Sequence, residues 1–186
     1  MKKVAIILIL FVALLVIIPM SSYNGLVQSR ETISEKEATI DVQLKRRTDL
    51  IGNLVESVKG YAAHETEIIN SVSEARTHLA GAKTTDEKAS ANEEVSGALS
   101  RLIAISENYP ELKADANFRQ LSDELAGTEN RISVARMDYN AAVATYNKKI
   151  VSFPSNIMAN LMGLEKAIYF EAAERDTEVP QINFGR

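Results

Sequence analysis

The chain has no cysteine and no tryptophan, and only four prolines and eight glycines in 186 residues. Without cysteine there are no disulfides, no thiolate nucleophile, no lipid attached through sulfur, and no zinc site built on sulfur. Few prolines and glycines leave little material for the turns of a sheet protein. An excess of basic charge is also missing. The formal net charge is −4, and it becomes −6 when Lys2 and Lys3 are left out. Nucleic-acid binding draws most of its affinity from Lys and Arg on phosphates, so a mildly acidic body excludes it as a general activity. No phosphate-cradling glycine loop and no G-x-S-x-G elbow occurs, and the many serines have no base beside them.

What is present begins with an uncharged apolar run, residues 4–20, "VAIILILFVALLVIIPM", preceded by Lys2 and Lys3. As a helix it spans about 25 Å, just short of a hydrocarbon core of about 30 Å, and Ser21, Ser22 and Tyr23 complete the length. It is longer than the usual apolar segment of a cleaved signal peptide and lacks a small-residue cleavage site, so it reads as an uncleaved anchor through which the chain meets the lipid bilayer. Two lysines on the short side direct the bulk of the chain outward from a bacterial inner membrane, onto its extracytoplasmic side.

From Leu26 a stripe with steps of three or four runs through Arg30, Ile33, Glu37, Ile40, Leu44, Arg47, Ile51, Leu54, Val58, Tyr61, Glu65, Ile68, Val72, Ala75 and Leu79. This spacing predicts one long helix, tolerating Gly52 and Gly60, that stops at Gly81 before the capping box Thr84–Glu87. A second helix carries Ala91, Val95, Ala98, Leu102, Ile105 and Tyr109; Pro110 ends it or restarts the chain. A third runs from Phe118 to Ile150; its length against the second implies either a bundle with one overhanging end or a break that leaves Glu107 to Asn117 partly extended. A fourth, shorter one carries Ile157, Leu161, Leu164 and Ile168. The expected fold is all-α: an N-terminal transmembrane helix (1–22), an elongated antiparallel up-and-down bundle of four helices (23–174), and a largely irregular tail (175–186).

Candidates for chemistry are few. His64-Glu65 suggests a metal hydrolase, but a zincin helix needs a second His four residues on, and that position is Ile68; the Glu-x-x-His pattern of di-iron bundles fails at Tyr61 and before His78. No metal or other cofactor is expected. Arg47 and Glu65 lie on the apolar stripe, about 27 Å apart along one helix, so neither can pair with the other. A charge on a buried seam must find a partner, and its benefit is register or partner choice. Glu129, Arg131, Arg136 and Asp138 are partners or competitors by sign alone. Tyr139-Asn140 and Tyr146-Asn147 repeat at seven residues, so both tyrosines share a face, as core residues or as a groove. The residues set aside as seam or partner-facing are Arg47, Tyr61, His64, Glu65, Arg136, Tyr139, Asn140 and Tyr146.

The segments "YNGLV", "IDVQLKRRTDLIGNLVESVKGYAAHE", "ENYPELKADANFRQLSDELAGTENRISVARMDYNAAVATYN" and "FPSNIMANLMGLEKAIYFE", with the closing V-P-x-I-x-F, resemble the bacterial LemA family over essentially the whole chain. The family usually has Pro where this chain has Gly52. The resemblance implies a membrane-anchored helical protein without an established activity, and it supplies no catalytic residues to carry over. The functional expectation is a non-enzymatic interaction or scaffold module whose partners are other membrane proteins or further copies of itself; self-assembly that shapes a membrane is the variant reading.

Overall fold

A computed structural model describes residues 2–62 and 64–170, with the backbone alone for residues 2, 4, 5, 8 and 11–16. Six helices follow in order: α1 (Lys2–Tyr61), α2 (Thr66–Gly81), α3 (Thr85–Ser106), α4 (Pro110–Ala114), α5 (Ala116–Val151) and α6 (Ser155–Leu161). The described residues contain no strand, as an all-α reading expects. They group into two compact units, one of α1 up to Thr39 with Ala135–Tyr169, the other Ile40–Val134 with Phe170.

In the 40–134 unit the stripe makes the core. Ile40, Leu44, Ile51, Leu54, Val55 and Val58 of α1 are buried. The single helix expected over 26–79 is, however, two. The Ala62 amide donates to the Val58 carbonyl and closes α1, Glu65 donates back to Ala62, and α2 restarts with Glu65 at its N-cap. Arg76 of α2 then donates Nε–H to the Thr48 carbonyl at 2.8 Å. Its guanidinium lies 3.1 Å from where a Cβ on Gly52 would stand. Thus α2 folds back antiparallel on α1. Ala62 and Ile69 lie seven residues apart across the turn, and Ile69, Val72, Ala75 and Leu79 resume steps of three and four. Both arms of a hairpin bury their stripes toward one core, so periodicity is blind to the reversal. The one-residue change of phase, from Ile68 to the buried Ile69, is the trace it leaves. Gly52, where the family usually has Pro, lies inside an unbroken α1.

The remaining elements start where local chemistry places them. Thr84 and Glu87 form the expected capping box, with the Glu87 amide donating to the Thr84 hydroxyl and Glu87 Oε2 accepting from the Thr84 and Lys83 amides. Those two amides hold the Glu87 carboxyl below its ordinary range. Pro110 restarts the chain at the first turn of α4. Asp115 Oδ1 accepts from the Phe118 amide at 2.8 Å and starts α5. Ion pairs fix directions: His78–Glu94 joins α2 to α3, Lys88–Asp41 joins α3 to α1, and Arg46–Glu124 joins α1 to α5. The order is up, down, up, down, a four-helix arrangement, but α2 takes the place expected for the chain's fourth helix.

The other unit is built on an antiparallel pair. Lys36 meets Asp138 at 3.6 Å, and Lys149 Nζ donates to Ser29 Oγ at 2.7 Å and to the Gly25 carbonyl at 3.2 Å. Leu26 and Ile33 of α1 and Ala135, Tyr139, Val143, Tyr146 and Ile150 of α5 are buried here, with Ala159 of α6. The helix expected over 157–168 is cut to seven residues. Gly163 takes φ +63, its amide donates to Asn160 and the Leu164 amide to Ala159, a Schellman stop that needs glycine. Beyond it no helix forms among the described residues, up to Phe170. Asn147 instead grips the chain at Ala167, accepting from its amide at 2.8 Å and donating to its carbonyl at 2.9 Å.

Among the described residues no helix is long and apolar enough to cross a membrane. Val4, Ala5, Leu8 and Phe11–Val16, more than half of the anchor expected at 4–20, have side chains outside the described residues, as does the whole tail expected at 175–186.

Candidate functional site

The most concentrated polar cluster of the 40–134 unit is centred on Arg47. Its position on the stripe turns it inward, and its side chain is 4% exposed. One terminal nitrogen, Nη1, donates to the side-chain oxygen of Asn92 and meets Glu129 Oε2 at 2.5 Å; the other, Nη2, donates to Ser96 Oγ at 3.0 Å. Arg47 thereby ties α1 to α3 and α5 through one guanidinium. Asn92 is fully buried, and its amide oxygen is consumed by this contact. Glu129 is 40% exposed, so one end of the pair reaches the rim.

Such a cluster holds geometry more than it adds stability. A buried pair roughly breaks even against apolar replacements, whereas loss of one member leaves the others desolvated without a partner. Lys88 of α3, buried to the same degree as the core, reaches Asp41 at 2.6 Å beside it. The two together set the register of α3 against α1.

The other candidates of this unit surround the α1–α2 turn. Tyr61 is exposed and donates to Asp115 Oδ2 at 3.2 Å; Tyr109 donates to Glu65 Oε1 at 2.7 Å. Each carboxylate raises the pKa of its tyrosine through the hydrogen bond it accepts, so both phenols stay protonated donors. Glu65 is therefore occupied in tying the turn to the end of α3. His64 is exposed at the turn itself. No group of three or more His, Asp or Glu able to hold a metal ion occurs among the described residues.

Arg136, Tyr139, Asn140 and Tyr146 fall in the other unit. Tyr139 and Tyr146 are core residues, and Tyr139 donates its hydroxyl to the Ile168 carbonyl at 3.1 Å; Arg136 and Asn140 are half-buried. Four of the eight candidates thus fall in each unit. Sequence reasoning missed Asn92, Ser96, Lys88 and Asn147, and had Glu129 by sign only. Asn92 sits next to the stripe residue Ala91 and carries no pattern of its own; Asn147 was seen only as the companion of Tyr146.

The pattern of the LemA family matches residues 36–184. The chain belongs to the LemA family. Magnetosome proteins MamQ 1 and MamQ 2 of Paramagnetospirillum magneticum are each 30% identical over 175 residues, covering 80% of this chain and 64% of their own length. Magnetosome protein MamQ of Magnetospirillum gryphiswaldense is 29% identical over 189 residues, covering 86% of this chain and 70% of its own. Protein LemA of Metamycoplasma hominis is 28% identical over 155 residues, covering 81% and 69%. The chain therefore spans a little under two thirds of the two Paramagnetospirillum relatives. Neither the family description nor any of these names is that of an enzyme.

Proposed function

We propose that this LemA-family chain is a non-enzymatic helical interaction module, tethered to a bacterial inner membrane through residues 4–20 with its bulk on the extracytoplasmic side. The observation that carries the tether is continuity. α1 runs unbroken from Lys2 to Tyr61, so the uncharged apolar run and the seam of the bundle are one helix. The magnetosome relatives favour a membrane setting. The non-enzymatic part rests on how the polar groups are used. Arg47, Glu65, Tyr61 and Tyr109 are committed to one another or to structural neighbours, and His64 stands alone at a turn. A hydrolase built on His64 and Glu65 would need Glu65 released from Tyr109 and a second ligand for the metal.

The tether is tested in cells on the full chain. It should resist extraction at high pH, and residues 23–186 should become protease-accessible once the outer barrier is opened and before the inner membrane is breached. Release at high pH, or protection until the inner membrane is lysed, would sink the tether or its direction respectively. The interaction role is tested by a photocrosslinker at the exposed Val42 of α1. Adducts with a distinct membrane protein support a module that recruits a client; adducts with further copies alone favour self-assembly.

A further inference from the structure

The α5–α6 corner carries a feature that packing of the described residues leaves without use. Phe153 is 81% exposed, Ile157 62% and Leu161 79%. Ile157 and Leu161 are four apart and share the outer face of α6, whereas Ala159 between them is fully buried on the inner face. A short surface helix in water would carry charges outward. Here "IVSFPSNIMANLMGL", residues 150–164, has no Asp, Glu, Lys or Arg at all; charge resumes only at Lys149 on one side and Glu165 on the other.

Its place in this unit gives the reason. Lys149, four residues before Phe153, reaches the Gly25 carbonyl and Ser29 of α1. At the far end of α6, Met162 lines a shallow cleft with Leu26, Val27 and Arg30. The corner therefore lies beside the stretch of α1 around Gly25, and α1 itself bears no charge from Val4 to Ser29. Two elements of one unit lose their charges at the same end, and there Ser21, Ser22 and Tyr23 follow the apolar run. Tyrosine and serine at that place suit a headgroup layer, and uncharged apolar side chains beside them suit its acyl boundary.

We propose that the α5–α6 corner is a second bilayer contact, with Phe153, Ile157 and Leu161 entering the interfacial layer next to the anchor. The inference rests on the tether proposed above. Its consequence is orientation: a single helix can tilt and spin in a bilayer, whereas a helix with a lateral foot cannot do so freely.

The chain contains no tryptophan, so single-tryptophan reporters are clean. Full-length Phe153→Trp, Ile157→Trp, Leu10→Trp and Met137→Trp proteins are reconstituted into phosphatidylcholine–phosphatidylglycerol vesicles whose acyl chains carry bromine at shallow or deep positions. Met137 is exposed on α5 next to Asp138, the partner of Lys36, and serves as the water-facing control. The expected result is loss of about half the emission of Phe153→Trp and Ile157→Trp with shallow bromines, a deeper profile for Leu10→Trp, and no quenching of Met137→Trp. If Leu10→Trp is quenched while both corner reporters behave like Met137→Trp, the corner contact is overturned and the tether stands. If Leu10→Trp is not quenched, the tether fails and the corner contact falls with it. A blue shift of the corner reporters that follows protein concentration and ignores bromine means that a second copy covers the corner, and also overturns the proposal.

Discussion

The two units solve the same problem, burial of helical stripes, with different means. The 40–134 unit packs four longer helix segments and the short α4, and admits a charged group to its interior, where Arg47 meets Asn92, Ser96 and Glu129. The other unit packs two long helix segments and a short third, holds them with the ion pair Lys36–Asp138 and the hydrogen bond from Lys149 to Ser29, and leaves Phe153, Ile157 and Leu161 outside. A four-helix core surrounds a side chain and can desolvate it completely, so a buried arginine there selects one register. A helix pair has one seam and cannot surround anything. It relies on Asn147 gripping a non-helical segment, and among the described residues it leaves those apolar side chains uncovered.

The sharpest way to break this contrast is Arg47→Met. It strips Asn92 and Glu129 of their partner and should destabilise the 40–134 unit by about 3 kcal/mol, the low end for a broken buried pair because Glu129 is partly solvated. Urea unfolding of the full chain in detergent measures it. Arg47→Glu should cost at least as much, whereas an Arg47 that faced a partner would leave the unfolding midpoint where it was. Next in size is Asn147→Ala in the other unit. Two hydrogen bonds to Ala167 are lost, worth about 2 kcal/mol locally, and hydrogen exchange should accelerate at the Ala167 amide with no change in the 40–134 unit.

Gly97→Ala has the opposite sign. Gly97 lies inside α3 with open space where a Cβ would stand, so the change should stabilise the 40–134 unit by up to about 1 kcal/mol, visible as a raised urea midpoint. The smallest effect is expected from pH. The hydrogen bond and charge of Glu94 raise the pKa of His78 above its ordinary value of 6.5. Protonated His78 therefore favours the folded α2–α3 hairpin. That contribution is complete below pH 6.5 and disappears as pH rises through the raised value. Both groups are at the surface, so the slope is shallow, and His78→Gln should remove it from a series of unfolding curves at pH 6 to 8.5.

How much of this was legible before folding differs by feature. Signals that depend on a few neighbours in the chain were readable: the Thr84–Glu87 capping box, the restart at Pro110, the stop at Gly81, and the inward turn of Arg47 on its stripe. The α1–α2 reversal was not, because steps of three and four resume after the hairpin at 62–65 and no proline or strong cap marks it. The end of α6 was written in Gly163, but Ile157, Leu161, Leu164 and Ile168 mimic a helical period that the fold does not use for burial. Three of those four side chains are exposed, and their spacing belongs to a helix that ends after the second.

By itself the sequence determined that the chain is helical, that it carries an uncharged run at residues 4–20, and that it belongs with LemA proteins, because propensity, period and family motifs are properties of the chain taken in order. Only the tertiary structure decided what the seam charges are for. Arg47 lies forty-five residues from Asn92 and eighty-two from Glu129, and no local rule brings those three together. Packing of three helices does, and once the guanidinium is cut off from water only a partner in reach can hold its charge.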